Sequence, residues 1–203
     1  IPMSSGLSEE CNNAKSLAQS YPGKVFVVDN HRVSVTLKES VRDTIRLVKE
    51  GKTSEEIVQI LEKEAHESTI YIMVNTLKYL KRGGRVTPAG AALGSALHIK
   101  PVLSIYGEKL DAYKKAIGTK KAKQIIIDAI LNDLKNKFKD VPKDKIVVAV
   151  AYSHNLEEAV EFRKELAAEI GMNPENIEMN PLSLSVGTHV GPGILAGAVS
   201  KLI

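Results

Sequence analysis

Three glycine-bearing polar segments contain most of the side chains that could bind or transform a ligand. The segments are Ser4-Ser5-Gly6-Leu7-Ser8, Arg82-Gly83-Gly84-Arg85 and Gly187-Thr188-His189-Val190-Gly191-Pro192-Gly193. Hydroxyl, guanidinium and imidazole groups donate hydrogen bonds to carboxylates and phosphates, and glycines allow the backbone to approach a ligand closely. We therefore expect these segments to contribute to a site for an anionic group.

Two of these segments also have a plain structural explanation. The serines precede a predicted helix whose free N–H groups favour an anion, but capping of that helix by Ser8 accounts for them too. His189 is the only histidine within a glycine-rich segment. We expect its ring to donate to an anion or to titrate near neutral pH, and the alternative is a turn in which glycines supply positive φ angles. Both pairs of alternatives stay open at this point.

Several common kinds of catalytic and cofactor site have no matching motif. The chain contains neither a Gly-x-Ser-x-Gly nucleophile elbow nor a phosphate-binding loop, and its glycine spacing is not that of a dinucleotide site. Cys11 is the single cysteine, and the histidines share no metal-ligand spacing with it or with carboxylates. The sequence therefore predicts no metal and no cofactor, and it gives no support to a hydrolase, NTPase or dehydrogenase.

Composition narrows the class of protein further. The 203 residues are 43% hydrophobic and 26% charged, which is typical of a globular chain. No apolar run is long enough for a transmembrane helix, no signal peptide is recognisable, and one cysteine fits a reducing compartment, so we predict a cytoplasmic protein. The net charge of +4 comes with dispersed lysines and no tryptophan, which argues against a nucleic-acid partner.

Hydrophobic periodicity predicts alternating helices and strands, and hence an α/β fold. The predicted strands are Lys24–Asp29, Ile70–Val74, Lys100–Ile105, Leu110–Ala116, Lys145–Ala151, Ile177–Leu182 and Ile194–Val199. The predicted helices run from Ser8 to Ser20, through Val41, Ile45 and Val48, over Glu56–Ala65, over Pro88–Leu97, from Ala122 to Leu134 and from Asn155 to Gly171. A boundary near residue 68 divides the chain into domains 1–68 and 69–203.

Taken in order, four motifs resemble the DegV family of bacterial fatty-acid-binding proteins. They are Met3-Ser4-Ser5-Gly6-Leu7-Ser8, Thr76-Leu77-Lys78-Tyr79-Leu80-Lys81-Arg82-Gly83-Gly84-Arg85-Val86, the segment from Leu93 to Leu103, and the segment from Gly187 to Gly193, with Val27-Val28-Asp29 and Glu50-Gly51-Lys52 between. The resemblance implies a two-domain fold, with residues 1–68 as the remainder of an incomplete Rossmann-like domain. Residues 69–203 would form a second α/β domain with a mixed sheet and a lipid tunnel.

The resemblance also implies a function and a set of partners. Members of the DegV family hold one long-chain fatty acid at the domain junction, and some deliver it to a kinase that phosphorylates the acyl carboxylate. On this basis we expect a lipid-binding subunit rather than an enzyme, with the fatty acid as its ligand and a fatty acid kinase as its partner. Transient contact with a membrane surface is compatible with this role. The sequence departs from the family at Glu9-Glu10-Cys11, where Gly-Thr-Tyr is usual.

The residues themselves fit lipid chemistry, since a fatty acid needs a polar seat and a narrow apolar tunnel. We predict that Ser4, Ser5, Thr188 and His189 seat the carboxylate. For the tunnel walls we predict Met73, Leu93, Leu97 and Ile99, each of which ordinary core packing would also explain. Arg85 and His189 are the candidates to support phosphoryl transfer.

Two other functions stay open from the sequence. One is a stand-alone phosphotransferase or hydrolase that uses His189 with Ser5. The other is a structural or regulatory module without a ligand.

Overall fold

A mixed six-stranded sheet forms the centre of the protein, and the computed structural model describes residues 1–93 and 98–203. The strands are β1 (Ser68–Met73), β2 (Ile99–Ile105), β3 (Asp111–Ile117), β4 (Ile146–Tyr152), β5 (Glu178–Pro181) and β6 (Leu195–Lys201). Their order in the sheet is β3-β2-β1-β6-β4-β5. All neighbours are antiparallel except β4 and β5, which are parallel. The predicted α/β fold with a mixed sheet is confirmed.

Helices cover both faces of this sheet. They are α1 (Glu10–Ala18), α2 (Ser34–Lys49), α3 (Ser54–Lys63), α4 (Lys78–Gly83), α5 (Pro88–Ala92), α6 (Gly118–Lys135), α7 (Leu156–Ile170) and α8 (Leu184–Val190), with short 3-10 turns at Lys143–Lys145 and Pro174–Asn176. Helices α6 and α7 pack on one face, and residues of α4, α8 and the start of α2 pack on the other. None of the described helices is long and apolar enough to cross a lipid bilayer.

The two faces of β1 lead to different cores. Tyr71 and Met73 point toward α6 and α7, whereas Ile70 and Ile72 pack with the residues of α4 and α8. This separation follows from the two-residue period of a strand, which sends successive side chains to opposite faces.

Capping residues fix the starts of two helices. The Thr53 side chain accepts a hydrogen bond from the backbone N–H of Glu56, and the Glu56 carboxylate accepts one from the backbone N–H of Thr53, which closes a capping box. The Asn155 side chain accepts from the backbone N–H of Glu158 at 3.1 Å. Helix α7 then ends at Gly171 in the left-handed conformation, with φ of 69°.

The predicted strand over Lys24–Asp29 is wrong. Residues 25–30 belong to no ladder of the described chain. Val28 is buried in a small cluster with Leu47, Ile57 and Leu61 of α2 and α3, while Val25 and Phe26 are exposed. A run of β-branched and aromatic residues favours extended backbone, but it becomes a strand only where a second strand accepts its hydrogen bonds.

Helix α2 forms where the spacing predicts it, but it turns its apolar side chains outward. Val41, Ile45 and Val48 are exposed, and the helix packs against β6 and β4. Its buried side chains are mostly polar: Val35, Thr36, Glu39, Ser40, Asp43 and Leu47. Burial raises the pKa of both Glu39 and Asp43. Periodicity therefore identifies this helix but not the face that the fold buries.

The glycine-rich segment at Gly187 is helical rather than a loop. Helix α8 begins after Ser183, whose side chain accepts a hydrogen bond from the backbone N–H of Val186 at 3.5 Å. His189 therefore stands on the last turn of a helix. The chain then turns at Gly191 and Gly193, which have positive φ angles.

Two further predictions concern the segmentation of the chain. The predicted helix over Pro88–Leu97 is realised as α5 over Pro88–Ala92, and its continuation, including Leu97, lies outside the described residues. All six strands fall between residues 68 and 201, whereas the division into domains 1–68 and 69–203 stays a prediction.

Candidate functional site

An apolar cavity lies on the face of the sheet that carries α4 and α8. Its walls are Met3, Leu7, Val33, Ser34, Val35, Ile70, Ile72, Leu80, Arg85, Ile105, Leu110, Ala151, Leu182, Ser185, Val186, His189, Val190 and Ala196. Only four of these residues, Ser34, Arg85, Ser185 and His189, carry a polar side chain. The cavity is thus suited to a long apolar group with a polar end.

Alanines on two central strands leave room for this cavity. Ala196 of β6 pairs with Ile72 of β1 on one side and with Ala151 of β4 on the other. These three residues form a row across the floor of the cavity. Because an alanine side chain extends only one carbon above the sheet, the roof formed by α8 and the N-terminal segment does not meet the floor.

Arg85 and His189 lie together at one wall, on either side of Gly83. A Cβ atom placed on Gly83 would be 2.8 Å from His189 Nδ1 and 3.7 Å from Arg85 Cδ. The helix α4 ends at Gly84 with a φ of 67°, and this left-handed residue turns the chain so that Arg85 follows directly. The Arg85 backbone carbonyl then accepts a hydrogen bond from the N–H of Leu110 at 2.9 Å, which fixes its position.

The guanidinium of Arg85 is held by backbone rather than by acidic side chains. Its Nε donates to the carbonyl of Leu7 at 3.2 Å and its Nη1 donates to the carbonyl of Gly83. Within the described part of the chain, none of the ion pairs involves Arg85. The Arg85 guanidinium at the cavity wall therefore has no charged partner among the described residues.

Ser4 and Ser5 have structural roles and do not line the cavity. The buried Ser4 hydroxyl donates to the carbonyl of Gly107 and accepts from the N–H of Gly6 at 3.1 Å. The N–H of Ser5 donates to Asp29 Oδ1 at 3.3 Å. Burial alone would raise the pKa of Asp29, but the hydrogen bonds from Ser5 and His31 lower it. The backbone N–H of Ser5 is thus already hydrogen-bonded to an ionised carboxylate.

Ser5 is nevertheless a neighbour of Arg85 on the outer side. A surface depression is lined by Ser5, Arg85 and Lys109, among others. Arg85 and Leu7 line both the cavity and the depression, so these two residues lie between the two spaces. Ser5 and His189 line different spaces and are not joined by a hydrogen bond among the described residues. This arrangement is not that of a nucleophile with its general base.

The other predicted site residues that the structure describes lie outside the cavity walls. Thr188 is exposed, and its hydroxyl donates to the Ser185 carbonyl within α8 at 2.9 Å. Met73 is buried on the opposite face of the sheet, beneath α6 and α7. Leu93 packs against the cavity-side core without lining the cavity, and Ile99 pairs with Ile117 at the end of β2. Leu97 lies outside the described residues.

Half of the cavity-wall residues that the sequence prediction omitted come from strands and from the start of α2. Because side chains alternate between the two faces of a strand, the sequence of β1 alone would have placed Ile70 and Ile72 on one face and Met73 on the other. It does not reveal which set faces a cavity, because that depends on the roof. Among the described residues, no three His, Cys, Asp or Glu side chains lie close enough together to hold a metal ion.

Comparison with known proteins identifies the family. The model for "Uncharacterised protein, DegV family" matches residues 1–202 of the chain. The chain belongs to the DegV family. A DegV domain-containing protein of Deinococcus radiodurans is 30% identical over 203 residues, which is 100% of this chain and 69% of that protein. A DegV domain-containing protein of Clostridium acetobutylicum is 28% identical over 203 residues, covering 99% and 69% respectively.

Solved structures of other DegV proteins share this fold. A fatty-acid-binding DegV family protein from Thermus thermophilus is 30% identical with a TM-score of 0.84, covering 98% of this chain and 69% of its own. DegV from Bacillus subtilis, a fatty acid binding protein, is 27% identical with a TM-score of 0.78, covering 98% and 68%. The family resemblance and the DegV-like fold predicted from the sequence are thus confirmed.

Proposed function

We propose that this DegV protein binds one long-chain fatty acid in the cavity described above. The acyl tail lies over the row formed by Ile72, Ala196 and Ala151, and the carboxylate meets Arg85 and His189. The observation that carries the proposal is an apolar cavity with a fixed cation, free of carboxylate partners, in its wall. The fatty-acid-binding DegV proteins of Thermus thermophilus and Bacillus subtilis support the choice of ligand.

The tail contributes most of the binding free energy under this proposal. Burying one methylene group contributes about 0.8 kcal/mol, so a dozen contribute on the order of 10 kcal/mol before the cost of ordering the ligand. A charged hydrogen bond contributes roughly 1.5–3 kcal/mol. Arg85 therefore selects the orientation of the ligand and distinguishes an acid from a neutral lipid, while the cavity supplies affinity.

Arg85 also gives the carboxylate a route to the surface. Because the same side chain lines the cavity and the outer depression, a small movement of it opens the carboxylate to solvent. We infer that the protein carries the acid to a fatty acid kinase, where a carboxylate oxygen attacks the terminal phosphorus of the nucleotide and ADP leaves. Arg85 and His189 then stabilise the charge on the transferring group. A cytoplasmic setting, with transient contact at a membrane surface to exchange the lipid, fits the free Cys11 thiol.

Organic extraction tests the ligand class directly. Extracts of the purified protein should contain fatty acids in about equimolar amount by mass spectrometry, and palmitate or oleate added to delipidated protein should raise its melting temperature. Failure of both measurements would exclude fatty-acid binding.

The carrier role needs a separate assay. The loaded protein, a bacterial fatty acid kinase and ATP are incubated together, and acyl phosphate is trapped with hydroxylamine as the hydroxamate. We expect hydroxamate only when the kinase is present. Formation without the kinase would instead favour the stand-alone phosphotransferase.

A further inference from the structure

A second space adjoins the cavity away from Arg85. This surface groove lies between the N-terminal segment, the start of α2 and the connection from β5 to α8. It shares six lining residues with the cavity: Met3, Val33, Ser34, Val35, Ser185 and Val186. It shares none with the depression outside Arg85. The cavity therefore borders two different outer spaces, one at the cation and one at this boundary.

We propose that Met3 is a gate between the cavity and this groove, and that it sets which long-chain fatty acids are accepted. The inference rests on the proposed function. A short tail ends inside the cavity, whereas the methyl end of a longer tail passes Met3 into the groove. Met3 is thus a specificity-determining residue for acyl chain length.

The groove offers apolar side chains to a tail that emerges there. Leu37 and Val41 of α2 line it, together with Pro181 at the end of β5. Val41 belongs to the outward apolar side of α2 and is 43% exposed. A tail resting on this surface would cover part of that side. Because the groove is open, methylenes there contribute less than methylenes in the cavity.

Of the boundary residues, Met3 is the one best able to move. The Val33 carbonyl accepts a hydrogen bond from the Thr36 hydroxyl at 2.9 Å, which fixes the first turn of α2. The backbone next to Met3 is fixed as well, because the N–H of Ser4 donates to the carbonyl of Arg32 at 3.0 Å. The Met3 side chain, which is half-buried, unbranched and flexible, can therefore open or close the passage while the backbone beside it stays in place.

The test compares the affinities of delipidated wild-type protein and variants for laurate, palmitate, stearate and arachidate. Met3→Phe narrows the passage and should weaken stearate and arachidate by on the order of tenfold relative to laurate. Met3→Ala widens it and should shift the preference toward arachidate. Ser185→Phe narrows the same boundary from an exposed position on α8 and should also weaken stearate and arachidate relative to laurate. This variant tests the passage independently if a substitution at Met3 impairs folding.

Met172, on the opposite side of the sheet, provides the matched controls Met172→Phe and Met172→Ala, which should leave the chain-length profile unchanged. Wild-type protein could bind the acids while the Met3 and Ser185 variants alter all four affinities equally or not at all. That result would contradict the role of Met3 as a gate, but it would leave the proposed fatty-acid site unaffected. If wild-type protein binds none of the acids, the proposed function fails, and the gate fails with it.

Discussion

At the scale of single residues, Arg85 is the most informative side chain. Its two backbone hydrogen bonds place a cation against an apolar cavity, close to Gly83 and His189. The sequence suggested a role for Arg85 in phosphoryl transfer alone. Because Arg85 also lies in the cavity wall, we propose that it binds the carboxylate as well.

We predict that Arg85→Ala weakens palmitate binding by roughly 10-fold to 100-fold, because a charged hydrogen bond of about 1.5–3 kcal/mol is lost. Isothermal titration with palmitate and with its methyl ester checks this. The variant should lose affinity for the acid but not for the ester. Arg82→Ala, at a neighbouring exposed position, is the matched control. An equal loss for the ester would mean that Arg85 acts through packing only.

The absence of a side chain at Gly83 is equally specific. A Cβ atom there would lie 2.8 Å from His189 Nδ1, which is closer than real contacts allow. We predict that Gly83→Ala displaces the imidazole, so that palmitate affinity falls severalfold while the melting temperature changes little. Gly187→Ala in α8 is the control, because a Cβ atom there meets nothing within 4 Å. If both variants bind palmitate like the wild type, His189 does not contact the carboxylate.

At the scale of elements, the central strands β4 and β6 create the cavity through small side chains. Ala151 and Ala196 are paired in the floor, where most strands of an α/β core carry larger residues. The vacant volume is therefore a property of strand composition and not of a loop.

Filling this volume should remove the ligand without harming the fold. We predict that Ala196→Leu abolishes palmitate binding and raises the free energy of unfolding of the lipid-free protein by about 0.5–2 kcal/mol, as cavity-filling substitutions do. Urea denaturation and titration measure the two effects. Ala168→Leu on the exposed side of α7 is the size-matched control. Retained binding with a lower unfolding free energy would show that the tail does not cross Ala196.

At the scale of the whole molecule, the cavity joins distant parts of the chain. Leu7 and Val33 come from the predicted domain 1–68, whereas Leu80 and Val190 come from 69–203. A ligand in this position contacts both. Since it binds only the native state, it stabilises the protein by about 2.7 kcal/mol at a concentration 100 times the dissociation constant.

Hydrogen exchange locates this stabilisation. We predict that palmitate slows exchange most at the start of α2 and in α8, which form the roof, because their local opening exposes the bound tail. Amides of α7 that exchange through local opening should keep nearly the same exchange rates, because α7 lies on the far side of the sheet. Protection concentrated in α7 instead would place the ligand in the other core.

The sequence by itself determined the α/β class, the family and most of the elements. These features depend on local chemistry: the Thr53 and Asn155 caps start helices through neighbouring N–H groups, and alternation marks β1 whatever lies beside it. The motif at Arg82-Gly83-Gly84-Arg85 was also predicted to be functional, since glycines next to arginines are visible without a fold.

The tertiary structure alone decided which residues meet. The strand order inserts β6 between β1 and β4, and this non-local pairing brings Ala196 beside Ile72 and Ala151. The same packing buries the polar side of α2 and leaves Lys24–Asp29 without a ladder. Periodicity shows that an element has two faces, but the neighbours that arrive from elsewhere in the chain determine which face is buried and where a space remains.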